Sequence, residues 1–199
     1  LHSWQSSHHV EDFDTYPRDL ERDEKIAKNA GVDYIFHPNV EEMYPTTPSI
    51  IARVESRTDC LCGKKRPGHF DGVATVLTKF FNIIQPNKAY FGMKDAQQVA
   101  VVDGLIKDFN FPIELIPVDI IREEDGLARS SRNVFLTETE RQEAQELYQS
   151  LRIAKEAIVA GERNPNAIVN LISDHLNTHT HGVIDYVEVY QYPELEPVT

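Results

Sequence analysis

An α/β fold is what the sequence predicts: a Rossmann-like parallel sheet followed by a smaller α+β unit. Three observations predict it. Short apolar runs of strand length alternate with longer amphipathic runs up to about residue 120, the rhythm of parallel strands joined by crossover helices. Within residues 71–84, Val73, Val76, Leu77, Phe80, Phe81 and Ile84 recur at helical spacing and form one apolar stripe. The character then shifts: residues 122–125 contain no apolar side chain, and the chain beyond them is mostly helical in pattern.

The elements follow in order. Residues 17–30 read as an exposed helix, with Pro17 suited to its first turn, Gly31 to its stop, and a mostly charged face. A strand is expected at 32–36, and a weaker, edge-like one at 50–54. The helix over 71–84 is ended by Pro86, and 89–91 is a buried strand. The helix over 95–109 turns Val99, Val102, Leu105, Ile106 and Phe109 inward, and 113–120 is the next strand. Thr137 and Glu140 have the spacing of a capping box; the helix they open runs to about residue 160 and stops at Gly161. Asn164-Pro165 starts another helix, with Ile168, Leu171, Ile172 and Leu176 on one side, and 184–190 is the last strand. The boundary falls near 120–128, giving a Rossmann-like domain over 1–121 and an α+β domain over 122–199, each expected to be partial.

Composition narrows the function. Apolar residues make up 41% and charged residues 26% of the chain, as in ordinary globular proteins. A net charge of −12 argues against nucleic-acid binding, which rests on basic surface. No apolar run is long enough to span a bilayer, so no membrane role is expected. The two cysteines, Cys60 and Cys62, lack the further pair that a zinc site needs and read as reduced thiols. The scattered histidines suggest no metal cluster, so no metal site is expected.

Two segments carry chemistry. The strand at 89–91 runs into Gly92-Met93-Lys94-Asp95-Ala96-Gln97-Gln98. Polar groups where a strand gives way to a helix N-terminus are how α/β proteins hold phosphate and ribose. Lys94 can meet a phosphate and Asp95 can accept from ribose hydroxyls; a Lys-Asp pair placed for solubility is the plainer alternative. The second segment, Asp125-Gly126-Leu127-Ala128-Arg129-Ser130-Ser131-Arg132-Asn133, follows the next strand. Two hydroxyls flanked by two guanidiniums suit the oxygens of a polyphosphate.

With these two segments the chain resembles the pantothenate synthetase (pantoate–β-alanine ligase) family of the nucleotidyltransferase superfamily. Further blocks carry the likeness in order, at residues 12–19, Phe36-His37-Pro38, Met43-Tyr44-Pro45, Arg66-Pro67-Gly68-His69-Phe70-Asp71-Gly72-Val73, and Ile184-Asp185-Tyr186-Val187-Glu188. Together they cover roughly residues 11–199. The resemblance implies condensation of pantoate with β-alanine to pantothenate, with ATP leaving as AMP and pyrophosphate through a pantoyl adenylate. It implies that Gly92, Met93, Lys94 and Asp95 bind ATP, with Lys94 on phosphate and Asp95 on ribose. Gln98 would hold pantoate, and the backbone of Ile121 the adenine. Arg129, Ser130, Ser131 and Arg132 would grip phosphates, so that Lys94, Ser130, Ser131 and Arg132 form the catalytic set. Mg²⁺ would arrive with ATP; a homodimer in the cytoplasm is implied.

Some family features are not found. Neither the strand with its H-x-G-H motif nor the segment carrying a pantoate-binding Gln precedes residue 11; His2, His8 and His9 have no glycine between them. The expectation is therefore a truncated synthetase with a foreign or rearranged stretch at 1–10, and the alternative function is an impaired nucleotide-binding fragment. A related adenylyltransferase is disfavoured by Gln98 and the 66–73 block. His69 has two readings, beside the pantoate or as a structural residue at the start of the helix. Arg66, with Lys64 and Lys65, could help draw anions in; a solvated basic turn is the plainer reading.

Overall fold

The computed structural model describes residues 19–198. The helices are α1 (Leu20–Asn29), α2 (Val40–Met43), α3 (Leu61–Lys65), α4 (His69–Ile84), α5 (Ala96–Asp108), α6 (Glu138–Glu143), α7 (Glu146–Val159) and α8 (Pro165–His179). The strands are β1 (Lys88–Gly92), before α5, and β2 (Glu114–Val118), after it. Two 3-10 turns, Met93–Asp95 and Ser131–Phe135, lie beyond β1 and β2 respectively. The expectations for residues 1–10, for 12–18 of the first family block and for Pro17 lie outside the described residues.

β1 and β2 pair in parallel, with Lys88 opposite Glu114 and Gly92 opposite Val118. Parallel neighbours need a crossover, and α5 is that crossover. Both strands therefore end at one edge of the sheet, from which 93–98 and 119–133 depart. The fold class is α/β, as the alternating pattern predicts.

The core lies where α4 and α5 meet the sheet. It gathers Phe70, Val73, Ala74, Leu77 and Phe81 from α4, Val101, Val102, Leu105 and Ile106 from α5, and Ile113. Two positions expected to face inward do not. Ile84, at the last turn of α4, and Phe109, the C-cap of α5, are both half exposed. Each helix ends there, so the stripe runs past its partner; Phe109 stacks on Phe111 at 6.2 Å instead. A second cluster, Ala154, Ile168, Ile172 and Leu176, joins α7 to α8, with Ile184, Val187 and Val189 packed on it.

The helix signals hold locally. Asp19 caps α1 through the Arg22 N–H (3.0 Å), and Gly31 follows it at φ 80°. Thr137 and Glu140 make the capping box of α6, and Asn164 caps α8 with Pro165 in its first turn. The helix expected to run unbroken to residue 160 is interrupted at Ala144 and Gln145. There the i→i−4 ladder gives way to i→i−3 bonds, from Leu147 to Ala144 and from Tyr148 to Gln145.

The strands expected at 32–36, 50–54 and 184–190 form no ladder. A strand needs a neighbour that completes its backbone bonds. At 50–54 the side chains of α4 take that place: the Ala52 N–H donates to Thr75 Oγ1 at 3.0 Å and the Val54 N–H to Asp71 Oδ1 at 2.8 Å. Residues 184–190 lay apolar side chains on the α7–α8 cluster, but pair only through an isolated bridge from Tyr190 to Pro197. At 32–36, Phe36 packs edge-on to Phe80 at 5.8 Å while Tyr34 stands in solvent.

Candidate active site

A cleft of about 210 Å³ opens where β1 runs into α5. One wall is the 3-10 turn and the start of α5, with Lys94, Asp95 and Gln98; the other comes from α3 and the start of α4, with Cys62, Arg66 and His69; Tyr186 closes a side. A larger hollow of about 380 Å³ lies between 122–126 and α7, but the strand-end polar groups gather in the smaller one.

Gly92 closes β1 in extended conformation (φ −73°, ψ 131°). A Cβ there would meet no atom within 4 Å. The backbone thus does not require glycine, whereas close approach of a ligand to the strand end would. Met93 is half buried, its Sδ accepting the Tyr192 hydroxyl at 3.8 Å. Lys94 Nζ lies 3.7 Å from Asp95 Oδ1, both side chains well exposed. This loose pair leaves the ammonium able to meet an anion at modest cost.

The adjacent carboxamides differ in setting. Both line the cleft, but Gln97 is buried and its amide is bonded into α3. Arg66 and His69 also differ from the plainest sequence reading. Arg66 is half buried, and its Nη1 lies 3.2 Å from His69 Nε2; guanidinium only donates, so Nε2 accepts. His69 is buried at the start of α4 and lines the cleft, so it is both structural and in the site. Its neighbour Gly68 takes φ 77°, turning the chain from Arg66 into the helix. Cys62 and Tyr186 complete the lining. Burial raises the Cys62 thiol against the opposing pull of Arg66, and burial raises the Tyr186 phenol, so both are neutral donors near neutral pH.

The second segment begins beyond β2 and does not line this cleft. Arg122 bridges to Ala128, and the Arg129 N–H donates to the Ile121 carbonyl at 2.9 Å. The proposed adenine and phosphate contacts are thereby linked through one backbone bond. Arg129 forks onto Glu123, with Nε and Nη2 each 3.2 Å from its oxygens. Ser130 Oγ accepts the Arg132 N–H at 3.3 Å, and Ser131 begins the 3-10 turn. Arg122 lies over the Tyr148 ring at 3.9 Å and donates to the Gly126 carbonyl at 3.0 Å, so the loop is seated on α7.

The described part of the cleft offers two cationic side chains, Arg66 and Lys94, and one carboxylate, Asp95, already near Lys94. Among the described residues no group of three His, Cys, Asp or Glu is placed to hold a metal ion. A divalent ion here would take its ligands chiefly from phosphate. Among the described residues no helix is long and apolar enough to cross a membrane.

A model of the pantoate–β-alanine ligase family matches residues 5–199. The chain belongs to that family. The match begins at residue 5, inside the stretch read above as foreign. A pantothenate synthetase from Geobacillus sp. (strain WCH70) is 65% identical over 188 residues, covering 94% of this chain and 67% of that protein. The crystal structure of pantothenate synthetase from Thermus thermophilus superposes with a TM-score of 0.90 at 40% identity, covering 98% of this chain and 70% of that one. A pantoate–β-alanine ligase from Francisella tularensis, solved with β,γ-ATP and β-alanine, aligns at a TM-score of 0.70 and 34% identity over 84% of this chain and 62% of that one. Solved ligases of this family thus share the fold described here.

Proposed function

We propose that the protein condenses pantoate with β-alanine at the expense of ATP, giving pantothenate, AMP and pyrophosphate through a pantoyl adenylate. The observation that carries this reading is the convergence of Lys94, Asp95 and Gln98 with Arg66 and His69 in one cleft at the strand end. Family membership and the ATP and β-alanine held by the Francisella ligase support it.

In the first half-reaction a pantoate carboxylate oxygen bonds to the α-phosphorus as the bond to the β-phosphate oxygen breaks. Gln98 orients the pantoate. Lys94, with Ser130, Ser131, Arg129 and Arg132, holds phosphate oxygens and meets the charge that grows as pyrophosphate leaves. Gly92 and Met93 bring backbone close to the nucleotide, Asp95 accepts from the ribose, and Ile121 contacts adenine. Mg²⁺ carried with ATP would be held chiefly by phosphate oxygens and would supply neutralisation of their charge. In the second half-reaction the amine of β-alanine bonds to the acyl carbon, the bond to AMP breaks, and the amine loses a proton. Arg129 must exchange Glu123 for phosphate to take part.

A homodimer, a cytoplasmic location and two units meeting near residue 121 belong to the same proposal; the net charge of −12 supports small-molecule rather than nucleic-acid partners. Product analysis with the three substrates tests the reaction: AMP and pyrophosphate are expected, and ADP with orthophosphate would overturn it.

A further inference from the structure

Gln97 lies in the cleft lining beside Gln98, yet it is only 6% exposed and its amide is bonded into the 57–63 segment. Its Nε2 donates to the carbonyls of Arg57 and Cys60, each at 2.9 Å. Its Oε1 accepts the Gly63 N–H at 3.2 Å and the Cys62 thiol at 3.0 Å. Two carbonyls need a donor and the Gly63 N–H needs an acceptor, so one orientation of the amide serves all of them.

The segment it grips is strained. Arg57 and Leu61 hold φ angles of 68° and 49°, and such backbone persists only where its surroundings over-determine it. The fit is close: a Cβ on Gly63 would come 2.4 Å from the Thr58 carbonyl oxygen and 2.9 Å from Gln97 Nε2. The same segment leads directly to Arg66 and His69. One buried amide therefore joins the wall that carries Lys94, Asp95 and Gln98 to the wall that carries Arg66 and His69.

We propose that Gln97 is a positioning residue that fixes the spacing of these two walls, and through it the affinity for the acid substrate. The inference rests on the ligase reading. Pantoate, oriented by Gln98 and facing Arg66 and His69, depends on both walls. ATP is also held by 129–132, with which Gln97 makes no hydrogen bond. Loosening the brace therefore weakens pantoate more than ATP.

The test compares Gln97→Met with the parent protein, by steady-state kinetics and by calorimetric titration of pantoate and of ATP. KM and Kd for pantoate should rise roughly tenfold, the scale on which a displaced binding wall is felt, with those for ATP within about twofold. Gln97→Glu keeps the shape and the acceptor but turns an oxygen onto two carbonyls; it should give the same ratio and replaces the methionine variant if that one does not fold. Val102→Ala, fully buried on the same helix and away from the cleft, should lower the melting temperature and leave both affinities unchanged. Equal loss of pantoate and ATP affinity, no loss, or the same ratio in Val102→Ala would overturn the proposal. A parent protein that forms no AMP defeats the ligase reading instead; the brace is then judged by exchange of the Gly63 amide, which should be slow in the parent and fast in Gln97→Met. Equal exchange in both would sink the brace.

Discussion

Glu188 and Leu61 are joined across 127 residues of chain: Glu188 Oε2 accepts the Leu61 N–H at 2.8 Å. Leu61 is the first residue of α3, and its cap, Cys60, offers no side-chain bond. The carboxylate fills the place of the missing cap, and its charge suits a helix N-terminus. The bond ties 184–190, and with it Tyr186, to the wall that carries Arg66. Glu188→Ala should cost about 1–2 kcal/mol and lower the melting temperature by roughly 2–8 °C; Glu188→Gln, which retains an acceptor, should cost less. Asp185→Ala, which removes the exposed pair with Lys65, should leave the melting temperature nearly unchanged. Equal tolerance of Ala and Gln at 188 would show that the bond does not hold the two parts together.

Lys94→Ala should lower the adenylation rate more than it weakens ATP. Its ammonium is exposed and only loosely paired with Asp95, so folding does not depend on it. Its proposed partner is charge that grows as pyrophosphate leaves, and such a contact acts on the barrier. Loss of one such contact costs about 3 kcal/mol, or roughly a hundredfold in rate. Single-turnover adenylate formation measures it; a near-parental rate would remove Lys94 from the catalytic set.

The helices were legible because their signals are local. The stripe of α4, the Thr137–Glu140 box and Asn164-Pro165 lie within a few residues of the backbone they shape. The strands expected at 50–54 and 184–190 have strand-like apolar content, but pairing depends on a remote neighbour, and Thr75 and Asp71 bond the first of these segments instead. In the site, Lys94, Asp95 and Gln98 were legible from one contiguous motif. A site role for Arg66 was only one of two readings, because a Lys-Lys-Arg run looks solvated until His69 and the cleft appear beside it. Gln97 and Gln98 have identical chemistry; which of them lies against α3 is settled by the strained turn at 57–61. Tyr186 reaches the cleft only through tertiary ties such as Glu188 to Leu61.

The Asp125–Arg141 pair gives an acid-sensitive contribution. The bond from the Arg141 guanidinium, with the Leu127 N–H, lowers the Asp125 carboxyl below its ordinary value of 3.8. A depressed folded pKa means stability present above the unfolded pKa and lost as pH falls through the folded one. The contribution should thus be intact at about pH 5 and above, and decline progressively as pH falls below about 4 and through the folded pKa. Both groups are near solvent, so the effect is small and weakened by salt. Thermal melts of Asp125→Asn and the parent across roughly pH 2.5–6 should differ at the top of that range and converge at the bottom. A constant difference would mean that the carboxylate charge is not what matters.

Gly126→Ala should move the proposed phosphate loop without touching a proposed contact residue. Gly126 sits at φ 95°, where a Cβ is strained, and that Cβ would come 2.4 Å from Tyr148 Cδ1. The left-handed conformation costs about 1–2 kcal/mol, and overpacking against a ring adds roughly 1–3 kcal/mol. Tyr148 cannot yield freely, because Arg122 lies over its ring at 3.9 Å and also donates to the Gly126 carbonyl. The strain therefore passes into 122–128, whose other end carries Arg129 through its bond to Ile121. Loss of stability should come with weaker ATP binding and unchanged pantoate binding, the reverse of the pattern expected at Gln97. Tyr148→Leu in the same chain removes most of the clash and should restore part of the ATP affinity. Recovery of stability without recovery of ATP binding would show that the loop's position on α7 does not govern the nucleotide.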